Sequence, residues 1–98
     1  MTQDKIFNSK HERLVVGRVS GVWGLSGHLR VQVITDNNSR FSVGNHFYIE
    51  DTKYECLDSW FSKSNLIIKF FNVNNRASAH LLVGKLIEIN SSDAPILP

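Results

Sequence analysis

The most restrictive feature of this sequence is a succession of short extended segments, each closed by turn residues after about ten positions. The clearest is "HLRVQVIT", residues 28–35, in which His28, Arg30 and Gln32 share one face and Leu29, Val31 and Val33 the other. A period of two belongs to a strand with one wet side. Before it, "RLVVGRVSGV" is rich in β-branched residues, and its glycines at 17 and 21 are poor helix formers. After it come Gly44-Asn45 as a turn, "HFYIE" as a strand, and Asp51-Thr52-Lys53 as a second turn. "YECLDSWF" and "NLIIKFF" are two further strands split by the polar "SKSN", and "KLIEI" is the last.

One stretch alone reads as a proper helix. "NNRASAHLLVG" offers Asn74 or Asn75 as N-cap, helix-forming alanines and leucines, and Gly84 where a glycine cap would end it. Ala79, Leu82 and Val83 adjoin on one face, while Leu81 leaves the orientation open. Asp36 can also cap a single turn, "NNSRF", which would fold Phe41 back onto the core. Six short strands and one short helix near the C-terminal end predict an all-β fold, a small six-stranded antiparallel barrel. Closure removes the strand edges that would otherwise invite aggregation. A chain of 98 residues makes one such domain. Residues 1–12 are polar and without period, which predicts a mobile leader; 13–90 form the barrel; 91–98, with prolines at 95 and 98, read as a linker.

Composition narrows the functional classes. Cys56 is the single cysteine, so no disulfide forms within the chain and no cysteine-based zinc cluster is possible. The charged N-terminus lacks a signal peptide's apolar core, and no apolar run approaches the ~18 residues of a membrane span. A cytoplasmic, monomeric protein is expected. Eleven basic residues against nine acidic ones give +2, and the cations are scattered along the chain. That balance permits a phosphate-rich partner without demanding one.

The motif Gly24-Leu25-Ser26-Gly27 admits three readings: a phosphate cradle, an RNA clamp, or a turn. A Walker loop needs Lys-Ser/Thr after the second glycine and a helix beyond; here His28-Leu29 leads into a strand. A KH-type loop joins two helices and is absent for the same reason. The remaining reading is a strand connection with positive φ at one or both glycines. His11, His28, His46 and His80 show neither i, i+4 spacing nor a nearby cysteine, so no metal site is indicated. No nucleophile elbow appears, and the carboxylates sit beside turns. No enzyme, cofactor or small-molecule substrate is expected. Trp23 opens the glycine loop, where it can plug the barrel end or stand exposed as a contact anchor. Trp60, Phe61, Phe70 and Phe71 read as mostly core, except that adjacent Phe70 and Phe71 must face opposite ways.

The stretch "LVVGRVSGVWGLSGHLRVQVITDNNSRF" resembles the N-terminal domain of the RimM family, bacterial factors for maturation of the small ribosomal subunit. Gly17, Gly24, Leu25, Gly27, Val31, Thr35, Asp36, Arg40 and Phe41 match that family's entry strand, His-Gly-Leu-x-Gly loop, alternating strand and Thr-Asp…Arg-Phe turn. A second patch, "NNRASAHLLVGKLIEI", resembles the family's Asp-Arg-x-x-Ala-Glu-x-Leu-x-Gly segment through Arg76, Ala79, Leu82 and Gly84. "DAPILP" is similar to the tail that leads to the family's second domain. The sequence departs from the pattern at Trp23 (usually His), His28 (commonly acidic), Asn75 (Asp) and His80 (Glu).

The resemblance implies a barrel of the translation-factor type, followed in the whole protein by a second barrel of the PRC type. It further implies a non-enzymatic assembly factor that binds the small ribosomal subunit, its nineteenth ribosomal protein and neighbouring rRNA, and assists folding and processing of that RNA. The expected contact surface is the loop from Trp23 through Gly24 and Leu25 to Gly27, with Arg30 and the Asp36–Phe41 turn carrying Arg40. Trp23 or Leu25 would anchor by apolar contact, and Arg30 and Arg40 would bond to phosphate or carboxylate. Arg40 can equally pair with Asp36 and only stiffen the turn. Two other functions fit the same residues: a stand-alone RNA-binding barrel, or an inert scaffold that positions the second domain.

Overall fold

The structure is a computed structural model that describes residues 13–34, 41–63 and 65–90. The expected leader (1–12), the capped turn at Asp36 and the linker (91–98) lie outside the described residues. Among the described residues, the strands are β1 (Arg13–Trp23), β2 (His28–Val33), β3 (His46–Ile49), β4 (Thr52–Ser62), β5 (Asn65–Phe70) and β6 (Leu86–Asn90), with one helix, α1 (Arg76–His80), before β6. They close into a barrel in the order β1-β2-β5-β4-β3-β6, with every neighbouring pair antiparallel.

Alternation sets which side chains fill the interior. Leu29 and Val31 of β2 point inward with Val16 and Val19 of β1, Leu66, Ile68 and Phe70 of β5, and Ile87 and Ile89 of β6. Phe41 stacks on Phe47 with ring centroids 5.3 Å apart, and Phe47 in turn meets Phe70 at 5.8 Å. Full burial of side chains this size stabilises the fold by about 1.5–3 kcal/mol each. Cys56 belongs to the same cluster, and burial pushes its thiol pKa up.

Closure is thinnest between β3 and β6, where only Tyr48 and Glu88 pair. Side chains reinforce this seam. The Arg13 guanidinium lies 3.9 Å from the Tyr48 ring centroid, and Arg13 Nε donates to Asn90 Oδ1 at 2.9 Å. β1 bridges the two halves of the barrel, pairing with β6 through its first part and with β2 through its second.

Three details differ from the sequence reading. The hairpin between β3 and β4 turns on Glu50 and Asp51, both at positive φ (51° and 68°), and Thr52 already pairs with Ile49. A two-residue loop with both centres at positive φ matches the right-handed twist of the strands, so the turn falls one residue earlier than expected. Second, β4 slips register between Cys56 and Asp58. A bulge there inverts the alternation, so Trp60 faces outward across from Ile67, not into the core. Phe61, beyond it, is exposed at the barrel rim, as is Phe71, while Phe70 is fully buried. Third, α1 is shorter than the helical pattern suggested. Asn75 caps it by accepting from the Ser78 N–H at 2.8 Å, and only Ala79 is buried within it. Leu82 packs against the core, whereas Leu81 points into solvent. Among the described residues, no helix is long and apolar enough to cross a membrane.

Candidate docking site

The loop between β1 and β2 is fixed from beneath. Gly24 and Gly27 both take positive φ, 71° and 101°. Gly27 is buried, and a Cβ at this position would overlap the backbone carbonyl of Val73, so the segment entering α1 crosses directly over it. That segment is itself tied down. The Lys69 ammonium donates to Val73 O at 2.5 Å, to Phe70 O at 3.1 Å and to Asn74 Oδ1 at 3.1 Å. Its partial burial lowers the Lys69 pKa from the ordinary lysine value. From α1, Arg76 Nη1 reaches back to donate to Gly24 O at 3.1 Å. The glycine motif and the segment around Arg76, far apart in sequence, are therefore two halves of one construction.

Above this base the loop tip is open. Leu25 is 76 % exposed, and nothing lies near the position a Gly24 Cβ would take. Trp23 is 41 % exposed, and its ring packs edge-on against His28 and Trp60, with centroids 5.4 and 5.2 Å away. His28 also meets Trp60 at 5.5 Å. Such edge-to-face contacts are worth about 0.5–1.5 kcal/mol beyond burial and hold each ring in one orientation. Trp23 is thus neither a barrel plug nor a free anchor; it is an exposed ring with a fixed pose. Burial, followed by the nearby Lys69 charge, lowers the His28 pKa below its ordinary value, while Asp58 acts in the opposite sense.

Arg30, in the next row of the outer sheet, is half-buried and lies over Gly21, where a Cβ would stand only 2.9 Å from its Nη1. Among the described residues it has no side-chain hydrogen-bond partner. Asp36 and Arg40 lie outside the described residues. Phe41 is 1 % exposed, inside the barrel. Its ring is buried against Phe47, which removes it from the contact surface to which the sequence reading had assigned it.

Sequence reasoning missed Trp60 as a neighbour of Trp23, because the bulge that turns it outward has no sequence mark. It also missed the contacts of Arg76 and Lys69 with the loop and its base, which depend on tertiary approach. A groove of about 610 Å³ elsewhere on the barrel shares no residue with this site; it is lined by Glu50, Asp51, Lys85 and Glu88 among others. There the Lys85 ammonium is paired with Glu50 at 2.8 Å.

Residues 14–94 match the RimM N-terminal domain family. The chain belongs to that family. The ribosome maturation factor RimM of Dehalococcoides mccartyi is 31 % identical over 98 residues, covering 100 % of this chain and 55 % of the relative. The factor of the same name from a Synechococcus species is 32 % identical over 97 residues, covering 92 % of this chain and 52 % of its own length. The chain thus spans about half the length of the curated relatives it matches. The solution structure of the N-terminal domain of RimM from Thermus thermophilus superposes with a TM-score of 0.74 at 22 % identity, over 88 % of this chain and 98 % of that one. A proposed 16S ribosomal RNA processing protein RimM from Pseudomonas aeruginosa gives 0.76 at 20 % identity, over 86 % of this chain and 54 % of that one. At these identities the structural matches establish the barrel fold. In this chain, the crossing of Val73 over Gly27 means that the glycine loop and the segment entering α1 must fit each other.

Proposed function

We propose that this RimM domain is a docking module of a ribosome maturation factor, acting on the small ribosomal subunit in the cytoplasm without catalysing a covalent step. The observation that carries this reading is the loop itself. An exposed leucine and a fixed indole stand on a base that the fold immobilises from three directions, through Gly27, Lys69 and Arg76. Apolar side chains carried on a fixed backbone bind a partner without the cost of ordering the loop. Burying Leu25 in a partner would contribute about 1.5–3 kcal/mol, roughly a tenfold to hundredfold change in Kd. A factor of this kind favours one folded state of an immature particle by binding it more tightly than the alternatives.

The partner we assign to the loop tip is the nineteenth small-subunit ribosomal protein, with rRNA beside it. Titration of this chain with that purified protein, with and without RNA and at two salt concentrations, tests the assignment. Binding to the protein alone, with shallow salt dependence, is the expected result. Absence of binding to the protein and to intact small subunits would leave the barrel as a scaffold and defeat the reading.

A further inference from the structure

The wall formed by β1, β2, β5 and β4 carries a second apolar cluster on its outer side. Strand register pairs Trp23 with His28 and Lys69 with Asp58, two pairs that the neighbouring Leu29–Ile68 pair brings side by side, and places Gly21, Arg30, Ile67 and Trp60 in one row. Ile67 faces outward and lies outside the interior cluster, yet it is only 1 % exposed. It sits between Arg30 and Trp60 in its row, and Trp60 leans back to meet both Trp23 and His28. The wall therefore bears a small, ordered aromatic layer on its solvent side, which closure of the barrel does not require.

The charge around this layer is one-sided. Arg18 and Arg30 lie on the same outer wall, Lys69 is near His28, Lys63 is in the β4–β5 turn, and Arg76 is at the glycine loop. Among the described residues, Asp58 is the one carboxylate in this neighbourhood. The others sit elsewhere: Glu50 and Asp51 in the β3–β4 turn, Glu55 in the first half of β4 and Glu88 on β6. Rigid aromatic rings flanked by guanidinium and ammonium groups on a sheet surface are what a single nucleic-acid strand requires: a base stacks on a ring and the backbone phosphate meets a cation. An acidic protein surface would satisfy the cations but has less use for an open aromatic face.

We propose that this outer wall, through Trp23, Trp60 and Arg30, is a stacking site for an unpaired base of single-stranded RNA. A base stacks against the exposed part of Trp23, and Arg30, without a side-chain partner among the described residues, contacts the adjacent phosphate. The site shares Trp23 with the glycine loop but lies on the outer wall, away from Leu25, and rests on the docking role only in taking RNA as the nucleic acid.

The sequence supplies its own probe, because Trp23 and Trp60 are its only two tryptophans. Intrinsic fluorescence of the whole chain is titrated with an unstructured RNA of about twelve nucleotides and with the matching duplex, at low and moderate salt. Saturable quenching by the single strand and not by the duplex is expected, weakening as salt rises. Trp23→Leu, which keeps apolar cover over the layer, and Arg30→Gln should each weaken the single-strand affinity by roughly fivefold or more. Melting of each variant shows whether it is folded. If Trp23→Leu melts early, Trp23→Phe, with its smaller stacking face, should show the weaker affinity in its place. Three results would overturn the proposal: no saturable quenching at low salt, equal quenching by duplex, or unchanged affinity in Arg30→Gln and in the folded Trp23 variant. Quenching by the purified ribosomal protein but not by RNA would also overturn it. Capture of small subunits by the unaltered chain is measured in parallel: capture without RNA quenching sinks this inference alone, and quenching without capture sinks the docking role alone.

Discussion

Gly24 and Gly27 occupy the two ends of one turn, and both have backbones in the left-handed region, yet their surroundings have little in common. Around Gly24 there is open space; at Gly27 a main-chain carbonyl fills the place a side chain would take. Gly24 answers to a local requirement, the φ that turns the chain. Gly27 answers to that and to a tertiary one, the passage of Val73 overhead. The comparison teaches how a loop can be both presented and fixed: its open end stands in solvent while its closed end is locked against the body, the arrangement on which the proposed docking role rests.

Substitution at the closed end should have the largest effect. Gly27→Ala places a methyl group into the Val73 backbone, which cannot rotate away, and adds the left-handed strain. A loss of more than about 3 kcal/mol is expected, lowering Tm by roughly 12 °C or more; a drop of only a few degrees would mean that the α1 entry segment is not held against the loop. Gly24→Ala carries the strain without the overlap, so about 1 kcal/mol is expected, or roughly 4–8 °C in Tm. If the two variants melted alike, the distinction between the open and closed ends would collapse.

Much of this was readable in the sequence, and the part that was not has identifiable causes. Alternation in "HLRVQVIT" marked Leu29 and Val31 as interior, and both are fully buried. The Phe70-Phe71 pair had to split between faces, and it does. Asn75 was one of two candidate caps and is the one used. Trp60 went astray because a single bulged residue inverts the parity of everything after it, and nothing in "YECLDSWF" announces a bulge. The glycine loop was recognisable as a turn, but not the reason Gly27 must be glycine. That reason lies in a backbone segment more than forty residues later, and local propensity carries no information about such an approach.

Weaker substitutions refine the same contrast. Arg76→Gln removes the donor to Gly24 O, an exposed bond, and should cost no more than about 1 kcal/mol. Faster amide exchange confined to the glycine loop would show that Arg76 steadies the open end; unaltered exchange would show that it does not. The smallest effect concerns pH. Burial and the Lys69 charge hold the His28 pKa below its ordinary value of 6.5, so on acidification the unfolded chain takes up this proton before the folded one. Stability from this source is complete above about pH 6.5 and is lost as pH falls from there through the lower folded-state value. Thermal melts across that range should show the decline in the parent protein and a flatter profile in His28→Gln. Identical profiles would remove His28 from the closed end's electrostatics.

The central claim, that the fold spends its rigidity on presenting the loop tip to a partner, is tested most directly by Leu25→Ser in one paired measurement of Tm and affinity for purified small ribosomal subunits. Because Leu25 is 76 % exposed, the account predicts a Tm within about 2 °C of the parent, together with roughly tenfold or greater weakening of subunit affinity. Unchanged affinity in the folded variant would contradict the account, as would a large fall in Tm.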